Sequence, residues 1–435
     1  MISKSYKWYV TGGLSLGASF GVLTLLARWI TANTILSSPE TLFKYGLLGG
    51  IGYSLMGSVA FILFSFVAVK IKKRFRKHET IGDVLYERLP GQSYVIMMGL
   101  LLITSFDSLF IQALGAGILF HLILDIPASI GLFIFFVYCF VYAGVGGMNS
   151  LHKIEPIKIS LIFAAIIFIP AYFFIQEGIY PIYDGVRLYH PYLLYWKNYD
   201  AFLFMITAIL IGFGQVITDR ATWQRIHIIQ PTKVRASLWL TGLIWGTIPL
   251  ALFSMLLISI FDKSYDNTYS LLFEFVYKIE PLILVILFFL FCFSTLSTTV
   301  GAELHATTIL IVKNIMSINK EYTDRSKYQL SYLVAGVISL ALFIISSFLT
   351  PNLLDLIFFF GQFYGAMIIP MLWIIFGKKT LSAFFAYSIL IGVGAGTIVM
   401  FSGVSILAIW ISFITSGVLS TLLYLFSPSI DSSSN

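Results

Sequence analysis

Apolar runs, most of them long enough to cross roughly 30 Å of hydrocarbon, recur along this chain from residue 13 to residue 427. That recurrence limits the fold more than any single motif. A backbone in lipid must satisfy its own hydrogen bonds, which an α-helix does within a single segment. With 58% of 435 residues hydrophobic and 11% charged, no soluble core could absorb this much apolar surface. Spans are expected near 13–38, 47–69, 92–122, 128–147, 157–175, 201–218, 236–261, 280–312, 331–349, 354–376, 380–402 and 405–427. The expectation is therefore an all-α integral membrane protein of about 12 transmembrane helices, forming one membrane domain over 1–435. The opening residues MISKSYKWY lack a small-residue cleavage site, so they are expected to remain in the mature protein. Cys139 and Cys292 fall inside apolar runs, where they pack as small hydrophobes.

Basic residues follow the topology. Of the 27 Lys and Arg, 21 fall on segments that share a side with the N-terminus. Five fall on the other side: Lys44, Arg187, Lys197, Lys263 and Lys278. This asymmetry predicts that both termini are cytoplasmic, in a multi-pass protein of the cell membrane. The run KIKKRFRK reads as a membrane-proximal basic loop rather than a nucleic-acid site. No protein partner is indicated.

Three spans depart from plain lipid-compatible helix. The first carries Arg28, Thr31, Asn33 and Thr34 at mid-depth, and the sixth carries Gly212, Phe213, Gly214, Gln215 and Thr218 before Asp219. If the first ten spans form two units of five, at 13–175 and 201–376, these two spans occupy equivalent positions. That is the pattern of inverted repeats with broken helices, leaving 380–427 as two further helices. Unwound backbone at membrane depth must line a cavity or be buried in protein, where its carbonyls can meet a cation. The third is the eighth span, STLSTTVGAELHATT, which sets Thr295, Thr298, Thr299, Ala302, Glu303 and Ala306 on one face by i, i+3, i+4 spacing. Charges inside spans are costly and mark function by default. Arg28 and Asp107 are the deepest, and a mutual ion pair is one use for them. Glu303 and His305 lie nearer the inner end, as vestibule residues or a proton relay.

An enzyme is disfavoured, because the chain has no His-Glu-x-x-His, no Gly-x-Ser-x-Gly and no pair of intramembrane Asp on facing helices. A channel or sensor on the same fold stays open.

Four stretches, TANTILSSPETLFKYGLLGG, FVYAGVGGMNSL, GFGQVITDRATWQRIHIIQP and TTVGAELHATTILIVKNI, resemble the sodium:solute symporters, nearest to their urea-permease branch. The resemblance implies a transporter of inverted five-helix repeats, working by alternating access. It implies sodium held by the carbonyls of Ala27, Ile30 and Thr295 and the hydroxyls of Thr298 and Thr299. It implies a solute cavity lined by Trp29, Thr34 and Gln215, with Asp219 at its inner margin. No cofactor is implied beyond sodium as coupling ion. The solute is small and polar, and the family serves urea, amides, amino acids and monocarboxylates. The chain departs from the family pattern in several places. Gly13-Leu14-Ser15 stands for Gly-Arg-Ser, Ile154-Glu155 for a Thr-Asp pair, and Asn314 for the Asp closing the eighth helix; Trp29 replaces an acidic residue of some members. A sodium-independent carrier, proton-coupled or facilitative, is the alternative. Arg28, between two expected carbonyl ligands, has three possible uses: pairing with Asp107 or Glu303, binding an anionic substrate, or replacing the ion.

Overall fold

The computed structural model describes residues 5–428 apart from 263–274, 319, 350 and 352; Lys4 and Lys263 of the charge count lie outside the described residues. Ten helices among the described residues are long and apolar enough to cross a membrane. The expected twelve spans are recovered from these ten by two considerations. The 43-residue helix Ala32–Arg74 bends sharply at Gly46, whose φ of 73° and ψ of −168° no side-chain-bearing residue adopts cheaply. Its outer part completes the first span and its remainder is the second. The shorter helix Tyr387–Met400 supplies the eleventh.

Both expected breaks exist, at positions set by local chemistry. The first span runs Ala18–Trp29, leaves helical geometry at Ile30 and Thr31, and resumes at Ala32. Two β-branched residues in extended conformation start the new helix through a capping box between Thr31 and Thr34. The sixth span is continuous from Tyr199 to Thr218 and breaks at Asp219, which caps the short helix Arg220–Ile228 by accepting from the Thr222 N–H at 2.7 Å. The break thus lies beyond the Gly212–Gly214 segment expected to form it. Those glycines serve close packing, against the backbone of Met56 and Tyr364.

The fifth span also differs from expectation. It begins at Gly147 rather than near residue 157, after a π-helical turn at Phe140–Val145. Glu155 and Lys158 are therefore buried inside the bundle. Contact with the sixth and seventh spans positions the second: a Cβ at Gly57 would fall inside the Trp245 indole, and that approach brings Trp245 beside the first break.

Candidate ion and substrate site

The first break exposes backbone oxygen by diverting N–H groups. The Thr31 N–H bonds to Thr34 Oγ1 at 3.2 Å, and the Ala32 N–H to Gln112 Oε1 at 2.7 Å. Those two donors would otherwise serve the carbonyls of Ala27 and Arg28 four residues earlier. The Trp29 carbonyl accepts from Trp245 Nε1 at 2.7 Å. The Ile30 carbonyl accepts from Thr299 Oγ1 at 2.9 Å, and the Arg28 carbonyl from the same hydroxyl at 3.4 Å. One turn of the first span and the hydroxyl face of the eighth thus meet at Ile30 and Thr299. Thr298 Oγ1 bonds back to the carbonyls of Ser294 at 2.8 Å and Thr295 at 3.0 Å on its own helix. Ala27, Ile30, Thr295, Thr298 and Thr299 are all fully buried. The donors are neutral oxygens, which suit a hard monovalent cation.

The Arg28 guanidinium turns away from this break. Its Nε and Nη2 donate to Asp219 Oδ1 at 3.1 and 2.6 Å, and Nη2 also reaches Glu303 Oε2 at 2.9 Å and Ser108 Oγ at 3.1 Å. Glu303 is shared with Arg220, whose Nε and Nη2 lie 2.8 and 2.5 Å from Oε1. Two arginines and two carboxylates therefore form one buried network tying together the first, sixth and eighth spans. Such burial is tolerated because each charge has an opposite partner and additional hydrogen bonds engage most of the remaining polar atoms. Of the two partners expected for Arg28, Glu303 is met and Asp107 is not. Asp107 accepts from the Tyr364 hydroxyl at 2.8 Å instead. Glu303 and His305 are buried rather than placed in a wet vestibule, and His305 Nε2 faces the Tyr9 carbonyl at 3.0 Å.

A cavity of about 60 Å³ opens between the two broken spans. At 10–15 Å³ per water-sized occupant, it has room for roughly four to six such atoms. Trp29, Thr34, Gln215 and Asp219 all line it, together with Arg28, Asp107, Ser108, Gln112 and Tyr364. They are not equivalent. Both oxygens of Asp219 are engaged, by Arg28 and by the Thr222 N–H, and Trp29 Nε1 is bonded to Thr222 Oγ1 at 2.7 Å. Thr34 is occupied in capping. Gln215 is partly exposed to the cavity.

Three residues carry more than the sequence reading assigned them. Arg220 completes the network, and an Asp-Arg pair at a helix start is the capping signal that marked it. Arg225 pairs with Glu155 at 2.6 Å and holds the Thr24 carbonyl at 2.8 Å, joining the fifth, sixth and first spans. Lys158 donates to Ser297 Oγ at 2.8 Å and packs its ammonium over the Tyr142 ring at 4.1 Å.

The profile of the sodium:solute symporter family matches residues 9–392. The chain is 18% identical over 277 residues to a urea-proton symporter of Oryza sativa subsp. japonica, covering 57% of this chain and 38% of that one. It is 26% identical over 149 residues to the sodium/pantothenate symporter of Escherichia coli, covering 33% and 30%. It spans less than half the length of these curated relatives. In structure it matches a Na+-coupled sialic acid symporter in a substrate-bound outward-open state, with a TM-score of 0.81 and 15% identity over 98% of this chain and 94% of that one. A nucleobase-cation-symport-1 family transporter in a closed conformation matches with a TM-score of 0.60 and 13% identity, over 97% and 96%. Two broken helices around a polar cavity, in a fold shared with cation-coupled carriers and under a family profile covering most of its length, make this chain a member of the sodium:solute symporter family.

Proposed function

We propose that the protein is a secondary active carrier that moves a small polar solute together with sodium by alternating access, catalysing no reaction. Residues 13–175 and 201–376 form its two repeats, with 380–427 appended. It resides in the cell membrane with both termini cytoplasmic, as the distribution of Lys and Arg implies. The observation that carries the reading is the meeting of Thr299 with the Ile30 carbonyl across the first break. A cation received there would replace one hydroxyl hydrogen bond with several oxygen contacts and clamp the first span to the eighth. Differential affinity of the ion for the clamped form then biases the solute site beside it. The membrane potential adds about 2.3 kcal/mol per charge per 100 mV, enough for concentrative uptake.

Withdrawal of Arg28 from the break supports sodium rather than replacement of the ion. Two unit charges about 4 Å apart repel by roughly 4 kcal/mol at an effective dielectric of 20, whereas here Asp219 and Glu303 offset the guanidinium. The test is uptake as a function of sodium in Thr298→Ala/Thr299→Ala. Half-activation should move to clearly higher sodium, and an unchanged sodium dependence would remove these hydroxyls from the ion site.

A second reading, proton coupling, is favoured by Lys158. This buried ammonium has no carboxylate within ion-pair distance among the described residues, and it touches Ser297, the residue before Thr298. Replacing Lys158 by Gln separates the two: a proton-coupled carrier loses its response to a pH gradient, and a sodium-coupled one keeps its sodium dependence.

A further inference from the structure

The charges around the cavity do not cancel. Arg28 and Arg220 are matched by Asp219 and Glu303, and every oxygen of those two carboxylates has a partner: Arg28 and the Thr222 N–H for Asp219, Arg28, Arg220 and Thr307 for Glu303. Asp107 is the carboxylate left over. It lines the cavity and is 4% exposed, its Oδ2 accepts from Tyr364, and its Oδ1 has no hydrogen-bond partner. A buried carboxylate oxygen without a donor is a costly arrangement, and it becomes favourable once a bound molecule supplies the missing N–H.

The third span also carries a complementary group on the cavity wall. Ser108, Ile111 and Gln112 line the cavity with Asp107. The Gln112 carboxamide oxygen is committed to the Ala32 N–H, which leaves its NH2 group as a donor. A small solute in the cavity can direct an N–H toward Asp107 and, where it has one, a C=O toward Gln112. A carboxylate solute would instead set a second negative charge beside an unmatched one.

We propose that Asp107 is a substrate-binding residue that selects solutes offering N–H donors on an amide-type carbon, such as ureas, primary amides or guanidinium, and rejects monocarboxylates. The assignment rests on the carrier reading above and specifies its substrate class.

The experiment compares uptake of urea, acetamide, guanidinium and acetate by the full chain in proteoliposomes, for wild type and Asp107→Asn. Folding of the variant is checked by thermal unfolding. Wild type should take up at least one of the three N–H-bearing solutes and no acetate. Asp107→Asn should raise the half-saturating concentration roughly tenfold or more, which corresponds to about 1.4 kcal/mol, while leaving sodium half-activation in place. Sodium-dependent acetate uptake by wild type overturns the assignment while leaving the carrier reading intact, and does so even if the variant fails to fold. An Asp107→Asn protein with wild-type affinity for the N–H solute overturns it as well. Sodium-independent movement of every solute down its gradient would instead overturn the carrier reading on which the assignment stands.

Discussion

Thr299 donates its hydroxyl proton to the Ile30 carbonyl at 2.9 Å, so the eighth span is bonded to backbone that the first span has stopped using. The break leaves carbonyl oxygens unserved, the hydroxyl stripe reaches them, and the Arg28 guanidinium points elsewhere, to Asp219 and Glu303.

Arg28→Gln removes the charge that Asp219 and Glu303 share. Breaking a buried ion pair costs about 3–5 kcal/mol, because the partner carboxylates remain buried. Folded yield should fall sharply, and adding Asp219→Asn should partly restore it. Thermal unfolding of the single and double variants reads this directly. Rescue by Asp107→Asn instead would contradict the pairing described here.

Glu155→Gln leaves Arg225 buried with only carbonyl partners. A loss of stability in the same range, about 3–5 kcal/mol, is expected. Arg225→Met combined with Glu155→Leu should recover much of it, since apolar replacement of both partners removes the uncompensated charge. Denaturant or thermal unfolding in detergent compares the three.

Asp83 lies in the connecting helix Ile81–Arg88, outside the spans. Burial pushes its carboxyl upward, but the Lys313 ammonium at 2.9 Å, the Glu79 N–H and the Asn314 side chain outweigh that and hold it below its usual value. A depressed folded-state value means the stabilisation is present above the unfolded carboxylate range and is lost as pH falls through the folded value. Wild type should therefore exceed Asp83→Asn in thermal stability at neutral pH, and the gap should close on acidification. A gap that persists unchanged at low pH would show that charge is not its source.

Gln215 is partly exposed to the cavity, whereas Thr34 is spent on capping Thr31. Gln215→Ala should raise the half-saturating solute concentration with sodium activation unchanged. Thr34→Ala should disturb both, because it loosens the break that frees the Ala27 carbonyl. Paired solute and sodium titrations of the two variants distinguish the roles; identical behaviour would contradict the division.

Much of this was legible before the structure. Span lengths, the polar first and sixth spans and the hydroxyl stripe of the eighth follow from spacing, and the four cavity residues assigned from family resemblance do meet in one cavity. The errors share a cause. Gly212 and Gly214 look like breakers in sequence, yet inside a bundle they let backbones approach, while Asp219 breaks the helix through its capping chemistry. Arg220, Arg225 and Lys158 sit beside loops, so topology reasoning counted them as surface charge; only the packed bundle shows them buried. Of the two carboxylates that depth alone offers Arg28, Glu303 meets it and Asp107 does not, because depth along a helix says nothing of the direction around it.

The most direct measurement of the central claim is solute accumulation in proteoliposomes carrying an inward sodium gradient, with external and internal solute initially equal. The account predicts accumulation above the external concentration that collapses when sodium is equalised, and that Thr298→Ala/Thr299→Ala greatly reduces at the same sodium. Equal accumulation without a sodium gradient, or equilibration that never exceeds the external concentration, would contradict it.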